Sequence, residues 1–271
     1  MQGFTKSYAM KTYAIKHKVT KVFLEWLKKG AHMQGVDSSV ATELQSFKEA
    51  IDRMVKGSKL TLNELVTRTF TDGFAVTAAY GAGAASPDGV ALFSASHVIK
   101  KTGGVYSNLI SAGSFLTATT LETAIQSYKT GIYTPNGYRI KAPEIFDLIV
   151  PRALETAARK ILNSGGDQAG VYAGTGSNAN LLNVFSFEAS KVRLTVLDMI
   201  GEVGMDGSII GGANADKMWF LMNKEYALDY KSFRIFRLWD NEITMFKNDE
   251  TDSLFTKISC HFGVEHFNPE C

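Results

Sequence analysis

The sequence is poor in cysteine and lacks any long apolar run. Its 271 residues include two cysteines, Cys260 and Cys271, which is too few for a disulfide framework or a cysteine-rich metal site. No apolar stretch approaches the roughly 20 residues of a membrane-spanning helix, and residues 1–11 lack the apolar core of a secretory signal. We therefore expect a soluble intracellular protein in which Cys260, on the apolar phase of a predicted strand, is a reduced core thiol.

The net charge of +2 conceals a basic N-terminal segment. Residues 1–30 contain a single acidic residue, Glu25, and seven lysines: Lys6, Lys11, Lys16, Lys18, Lys21, Lys28 and Lys29. Aromatic and aliphatic side chains stand among these lysines and must pack on another surface. We expect a contact element that meets nucleic acid or an acidic surface of a neighbouring copy, with a solvated surface strand as the alternative.

The first third of the sequence predicts helix. Apolar residues recur at helical spacing from Val40 to Val55, and a second run continues to Phe70. Gly57 interrupts this apolar face, and Thr61–Glu64 has the form of a capping box. The pattern fits either two helices or one long helix with an irregularity at Gly57, and we favour the single helix.

The middle of the sequence predicts a strand that leads directly into a helix. Leu121–Tyr128 has helical phase, and Ile145–Val150 has the continuous apolar character of a buried strand. Pro151 suits the first turn of a following helix, because its missing N–H costs nothing there. The predicted inner face of that helix consists of Leu154, Ala157, Ala158, Ile161 and Leu162. This unit is typical of a layered α/β or α+β domain.

The last third of the sequence predicts β-structure. Trp219–Met222 is a short apolar strand, and Phe233–Trp239 and Ile243–Phe246 flank a predicted turn at Asp240-Asn241. Between residues 254 and 264 most even positions are apolar, which predicts one long, half-exposed strand; these are Leu254, Ile258, Cys260, Phe262 and Val264. Such a strand needs a cover, so we expect this sheet to take part in subunit contact rather than in catalysis.

The residues that could carry chemistry do not form a recognised constellation. Ser94, Ser96 and His97 are neighbours in sequence, but no G-x-S-x-G elbow frames either serine. The glycine-rich run Gly170–Gly176 lacks the Lys-Ser/Thr of a phosphate-binding loop, and the five histidines are scattered. We therefore predict no catalytic residue, no cofactor and no metal; a serine hydrolase using Ser94 or Ser96 is the enzymatic alternative.

Two segments, taken together, resemble a known family. The first contains Asp88-Gly89, Leu92-Phe93-Ser94 and Ser96-His97, followed by Tyr106-Ser107-Asn108. The second, Val150–Ser164, has Val-Pro followed by a helix of the form A-L-E-x-x-A-x-x-I-L-x-S. With Trp219–Leu221 and the β-rich end, this order and spacing resemble the major capsid proteins of tailed bacteriophages. Val98 follows His97 at a position where relatives often have proline.

The resemblance implies an α+β fold of the Hong Kong 97 type. Such a subunit has a peripheral domain with a long spine helix and long β-strands, and an axial domain whose central sheet is flanked by helices. The implied ranges are residues 1–35 for a basic arm or extended-loop segment, 36–112 and 225–271 for the peripheral domain with its spine helix at 37–74, and 113–224 for the axial domain.

The same resemblance implies a structural, non-enzymatic function. The implied protein is a major capsid protein that self-assembles, as pentamers and hexamers, into the icosahedral head shell around the phage DNA. It implies synthesis in the host bacterial cytoplasm and residence in the virion, with scaffold, portal and decoration proteins as further partners and no membrane. A nanocompartment shell protein of the same fold, and a phage-associated maturation protease, are the alternatives.

The implied assembly gives the exposed lysines candidate roles in subunit contact or in non-specific contact with packaged double-stranded DNA. The residues assigned to these roles are Lys16, Lys18, Lys21, Lys28, Lys29, Lys100 and Lys101.

Overall fold

The computed structural model contains both helices and sheets, so the α+β prediction is confirmed. The residues that it describes are 6, 10–20, 25, 38–77, 85–110, 115–163, 192–248, 250 and 253–270. The chain forms two compact units. The first comprises Met1–Tyr8, Glu64–Arg234 and Val264–Cys271, and the second comprises Ala9–Asn63 and Ile235–Gly263.

A single helix, α1, runs from Ser38 to Thr71 over 34 residues. The prediction of one long helix is confirmed, and the alternative capping box at Thr61 is wrong. The Thr61 hydroxyl donates to the carbonyl oxygen of Gly57 at 3.0 Å, and the Ser58 hydroxyl donates to that of Val55 at 2.8 Å. Both hydroxyls bond back to the preceding turn, so neither competes with the helix for backbone N–H groups.

The N- and C-terminal parts of the chain meet in a three-stranded sheet. Its strands are β1 (Lys11–Val19), β7 (Phe233–Asn248) and β8 (Ser253–His266), in the order β1–β8–β7. β1 is antiparallel to β8, with Lys11 opposite Phe262 and Val19 opposite Leu254. Part of the basic N-terminal segment is therefore a strand of this sheet.

The predicted turn at Asp240-Asn241 is wrong, because β7 continues through both residues without a break. The turn preference of Asp and Asn is a local effect, whereas β8 offers a long partner that extends the ladder past this point. Both side chains are exposed, and Arg237 Nη1 donates to Asp240 Oδ1 at 3.0 Å. A solvent-facing strand therefore accommodates a pair that elsewhere would turn the chain.

The prediction that β8 is half-exposed is also wrong. Its apolar phase is buried as expected, including Ile258 and the free thiol of Cys260, but Ser259 and Glu265 on the other phase are buried as well. Aromatic rings from the neighbouring strand explain part of this cover, since Trp239 packs on His261 at 4.7 Å between ring centroids. Burial raises the pKa of the Cys260 thiol, with a smaller contribution from the negative charge of Asp240, in accordance with the predicted reduced core cysteine.

The second three-stranded sheet is built around β4 (Phe146–Pro151), every residue of which is buried. The predicted strand is confirmed, but Pro151 ends β4 instead of beginning the helix. A short 3₁₀ turn intervenes, and α3 begins at Glu155. On one side of β4, Pro151 lies opposite Leu197. On the other side, pairing with the strand Phe220–Met222 ends at Ile149, so the missing N–H of Pro151 interrupts no hydrogen bond to that strand.

The remaining elements are short, and several were predicted. They are β2 (His97–Val98), β3 (Val105–Tyr106), α2 (Ala118–Gly131), α3 (Glu155–Asn163), β5 (Val192–Leu197), β6 (Phe220–Met222) and α4 (Lys224–Asp229). β5 is parallel and β6 antiparallel to β4. α2 begins with a capping box between Thr117 and Thr120. The predicted inner face of α3 is confirmed for Ala158, Ile161 and Leu162, which are buried; Ala157 is half-buried, and Leu154 is half-buried in the preceding 3₁₀ turn. Gly170–Gly176 lies outside the described residues.

Candidate functional site

A buried ion pair lies at the centre of the first sequence motif. His97 is completely buried, with its Nδ1 at 2.8 Å from Asp88 Oδ2 and its Nε2 at 3.1 Å from the carbonyl oxygen of Leu92. Burial opposes ionisation of Asp88, but the hydrogen bond and charge of His97 outweigh it, so the pKa of Asp88 is lowered. Both ring nitrogens of His97 face hydrogen-bond acceptors, so the ring bridges the Asp88 carboxylate and the Leu92 carbonyl oxygen.

Asn108, the last residue of that motif, joins three pieces of chain. Its Oδ1 accepts from the backbone N–H of Ser94 at 2.8 Å. Its Nδ2 donates to the carbonyl oxygens of Leu92 at 2.7 Å and Pro269 at 2.8 Å. The motif is thus a hydrogen-bond network that fixes residues 85–108 against the C-terminal residues.

The same hydrogen-bond network determines whether His97 can activate Ser94 or Ser96 as a nucleophile. The Ser94 and Ser96 hydroxyl oxygens lie 3.2 Å from each other. His97 directs its two nitrogens to Asp88 and Leu92, so neither nitrogen serves as a base for a serine. The geometry favours a structural turn over the serine hydrolase alternative.

A second charged cluster, in which the side chains of Glu64 and Arg68 are buried, fixes the hairpin formed by residues 203–209. Arg68 Nε donates to Glu64 Oε1 at 2.9 Å, and Arg68 Nη2 donates to Asp206 Oδ1 at 2.7 Å. Burial alone would lower the pKa of Arg68, but Glu64 and Asp206 outweigh it and the pKa is raised. The Glu64 carboxylate also accepts from the backbone N–H of Met205 at 3.0 Å. The lower pKa of Asp206 is due mainly to hydrogen bonds from Ser208.

Gly204 makes this arrangement possible. A Cβ built on Gly204 would collide with Arg68 Nη2 and lie 2.5 Å from Glu64 Oε1. Any side chain there would displace the charged groups that hold the hairpin. The fixed hairpin leaves Val203, Met205 and Ile209 exposed, and Val203 and Ile209 form an isolated bridge across it.

The candidate lysines fall in different parts of the chain. Lys16 and Lys18 are exposed two residues apart on β1, and the Lys16 ammonium lies 5.4 Å from the centroid of the Phe246 ring. Lys100 and Lys101 are exposed in the turn between β2 and β3, with the Lys101 ammonium 5.5 Å from the Tyr138 ring centroid. Lys21, Lys28 and Lys29 lie outside the described residues.

β7 presents large apolar side chains to solvent. In the described part of the chain it is an edge strand, because the sheet order ends with it. Six of its large hydrophobic side chains are 37–62% exposed: Ile235, Leu238, Trp239, Ile243, Met245 and Phe246. These six residues are called the β7 apolar surface below. A long apolar edge strand is a template for association with another chain.

Sequence reasoning missed both the continuous β7 and the Arg68 cluster. The absence of glycine and proline from 233–248 is the signal that could have indicated one strand. Glu64 and Arg68 have the four-residue spacing of a helical ion pair, but nothing in the sequence connects them with Asp206.

The described residues contain no group of three or more histidine, cysteine, aspartate or glutamate side chains arranged to hold a metal ion. Among them, no helix has the combined length and apolarity needed to cross a membrane.

The solved structures similar to this chain include capsids of several phages. The capsid of cyanophage P-SCSP1u is 12% identical with a TM-score of 0.42, and the match covers 97% of this chain and 70% of that chain. The capsid of Ralstonia phage GP4 is 9% identical with a TM-score of 0.44, and the match covers 97% of this chain and 70% of that chain. The head of Helicobacter pylori bacteriophage KHP40 is 9% identical with a TM-score of 0.40, and the match covers 96% of this chain and 71% of that chain. Because these TM-scores are below 0.5, such likenesses do not by themselves establish a shared fold. The comparison with curated proteins found no match.

The match to a family model covers nearly the whole chain. The family is described as "Phage capsid protein", and its model matches residues 6–271. This range includes the motif built around Asp88, His97 and Asn108 as well as β4, α3, β7 and β8. The chain belongs to the phage capsid protein family.

Proposed function

We propose that this chain is the major capsid protein of a tailed phage, and that it assembles into the icosahedral head shell around double-stranded DNA. As a member of a capsid family it is a structural protein of the virion that associates with copies of itself. Pentamers and hexamers as building units, and synthesis in the cytoplasm of a bacterial host, are part of the proposal.

The β7 apolar surface is the observation that best supports self-assembly as the function of this chain. An isolated subunit keeps these six side chains partly in water, although burying a large hydrophobic side chain contributes about 1.5–3 kcal/mol. Association with another copy would remove this apolar area from water and could extend the sheet at the edge that β7 forms in the described part of the chain. Small contacts of this kind accumulate in a closed shell, because each subunit makes them repeatedly.

A Hong Kong 97-type architecture is part of the same proposal. Its support is family membership together with the 34-residue α1 and the strands β7 and β8, of 16 and 14 residues. We assign residues 1–35 to the arm, 36–112 and 225–271 to the peripheral domain and 113–224 to the axial domain. The sheet of β4, β5 and β6 falls in the last of these ranges.

We also propose that the chain has no enzymatic activity and that its lysines serve in contacts. The engagement of His97 with Asp88 and Leu92 supports the first point. The exposure of Lys16, Lys18, Lys100 and Lys101 supports a role in subunit contact or in salt-sensitive contact with DNA, and Lys21, Lys28 and Lys29 keep the same proposed role. Scaffold, portal and decoration proteins are further proposed partners.

Substitution within the β7 apolar surface tests the proposal. Leu238 is 62% exposed, so Leu238→Lys should leave the fold of the subunit intact while placing a charge where another copy would pack. We expect light scattering to show strongly reduced assembly of Leu238→Lys, whereas Leu238→Met, the matched control, assembles like the wild type. Equal assembly of all three proteins, with circular dichroism spectra unchanged, would remove β7 from the mechanism.

A further inference from the structure

The C-terminal segment, Glu265–Glu270, is held by hydrogen bonds from three separate places in the first compact unit. The backbone N–H of Phe267 donates to the carbonyl oxygen of Ser232 at 2.7 Å. The Asn108 amide donates to Pro269 O at 2.8 Å, and the Tyr128 hydroxyl donates to Glu270 O at 3.0 Å. These contacts use the backbone of the segment, so its side chains are buried as a consequence of packing.

Two ionisable side chains of this segment are buried, and neither has a charged hydrogen-bond partner among the residues that the structure describes. His266 is 0% exposed and Glu270 is 2% exposed. His266 Nε2 lies 3.3 Å from the Ser86 hydroxyl, whereas His266 Nδ1 and Glu270 Oε2 have no hydrogen-bond partner among the described residues. A buried ionisable group with an unsatisfied polar atom is far more stable neutral than charged.

The surrounding charges reinforce this requirement for His266. Lys6, from the N-terminal segment, donates to the carbonyl oxygen of His266 at 3.2 Å and pairs with Glu265 at 2.9 Å. The ion pair of Asp88 and His97 provides the other nearby charges. A proton on His266 would therefore bring a third positive charge towards Lys6 and His97, with Asp88 as the opposing attraction.

The environment of Glu270 has the opposite consequence. Burial is the main obstacle to a negative charge on Glu270, and repulsion from the carboxylate of Asp88 adds to it. A hydrogen bond from the backbone N–H of Glu270 and attraction to His97 only partly compensate. The segment therefore contains one base that packs without its proton and one acid that packs with its proton.

We propose that His266 and Glu270 form a compensating pair, in which both side chains must be neutral for the C-terminal segment to pack. Release of the segment exposes both to water. His266 then gains a proton in mildly acidic solution, while Glu270 loses one, so the net number of protons exchanged is close to zero.

The direction of each pKa change fits this proposal. Burial is the main cause that lowers the pKa of His266 from 6.5 to about 3, with Lys6 and His97 adding to it. Burial also raises the pKa of Glu270 from 4.5 to about 7. The free energy that neutral His266 contributes to packing of the segment is complete above pH 6.5 and is lost as the pH falls towards 3. The free energy that neutral Glu270 contributes is complete below pH 4.5 and is lost as the pH rises to 7.

Between pH 4.5 and 6.5 both groups make the packing free energy depend on pH, and the two dependences cancel because they have opposite signs. A variant that lacks one group should therefore show the pH dependence of the other, and the two variants should respond to pH in opposite directions. A purely structural role for these side chains would lower packing in both variants without this reversal.

Amide hydrogen exchange of residues 265–270 in the full-length chain provides the test, with rates corrected for the intrinsic effect of pH. In the wild type we expect protection to change by less than about threefold between pH 4.5 and 6.5. In Glu270→Gln protection should fall about tenfold for each unit of acidification, and in His266→Gln it should fall about tenfold for each unit of increase. His261→Gln on the same strand and the exposed Glu225→Gln serve as matched controls that keep the wild-type profile.

Slopes of the same sign in the two variants, or no slope in either, would overturn the proposal. Should His266→Gln fail to fold, the ring nitrogen shifts of His266 in the wild-type chain provide the second measurement: a neutral ring from pH 8 down to pH 5 supports the proposal, and protonation near pH 6.5 contradicts it. Both measurements use the unassembled subunit, so failure of shell formation would not affect them.

Discussion

Arg68 Nη2 lies 2.7 Å from Asp206 Oδ1, across 138 residues of sequence, and this contact joins helix α1 to the 203–209 hairpin. Glu64, one turn earlier on the helix, holds the same guanidinium and also accepts the backbone N–H of Met205. The hairpin is therefore positioned by charges within the first compact unit, and its exposed apolar side chains are held in a fixed arrangement.

Removal of the guanidinium tests the importance of this cluster. Arg68→Met leaves the Glu64 carboxylate buried without its cation, so we expect the free energy of unfolding to fall by about 3 kcal/mol. Arg53→Met is the matched control, because Arg53 and Glu49 have the same spacing on the same helix but are largely exposed. Urea denaturation should show little change for the control. An equal loss in both variants would mean that the cluster has no special role.

Gly204→Ala tests the close approach of the hairpin to the charged groups. The added methyl group would collide with Arg68 and Glu64, so we expect destabilisation of about 1–3 kcal/mol. In Gly131→Ala, at the end of α2, the new methyl group meets nothing within 4 Å and stability should be unchanged or slightly higher. Thermal unfolding of the two variants checks both expectations, and a neutral Gly204→Ala would contradict the geometry.

The Asp88 and His97 ion pair should make stability depend on pH under acidic conditions. The pKa of Asp88 in the folded chain is lower than its ordinary value of 3.8, so its contribution is present above pH 3.8 and is lost as the pH falls through the folded value. Asp88→Asn should reduce stability at neutral pH by about 3 kcal/mol. It should also remove this part of the acid dependence. Asp240→Asn, at an exposed carboxylate, should keep the wild-type acid profile in urea titrations at pH 2–7.

The Cys260 thiol should react only when the chain unfolds. It is buried on β8, and burial together with the charge of Asp240 raises its pKa above the ordinary value of 9.0. Its stabilising contribution is thus complete below pH 9 and decreases as the pH rises through the folded value. In a Cys271→Ser background, iodoacetamide at pH 8 should modify Cys260 slowly in buffer and rapidly in urea, as measured by mass spectrometry. Rapid modification in buffer would contradict its place in the core.

Elements with a strong local pattern were predictable from the sequence. β4 has six consecutive buried residues and α3 has helical apolar spacing, so local pattern and tertiary position agree. The single helix α1 was also predictable, because its periodicity continues on both sides of Gly57.

Features that depend on distant partners could not be derived in this way. Asp240 and Asn241 have a local preference for turns, yet β8 extends the ladder past them. The polar phase of β8 is buried by groups from elsewhere, including Lys6 against Glu265. Likewise, the adjacent serines and histidine suggest chemistry in the sequence, but Asp88 and Leu92 occupy both ring nitrogens of His97, and Asn108 accepts the backbone N–H of Ser94.

Electron microscopy of the purified full-length chain tests the central claim most directly. The expected result is closed shells of uniform diameter, and nuclease-protected DNA in shells isolated from infected cells would identify a phage head. Protein cargo in place of DNA would indicate a nanocompartment. Monomers that never form shells at any concentration, together with labelling of Ser94 or Ser96 by a fluorophosphonate probe, would contradict the proposed function.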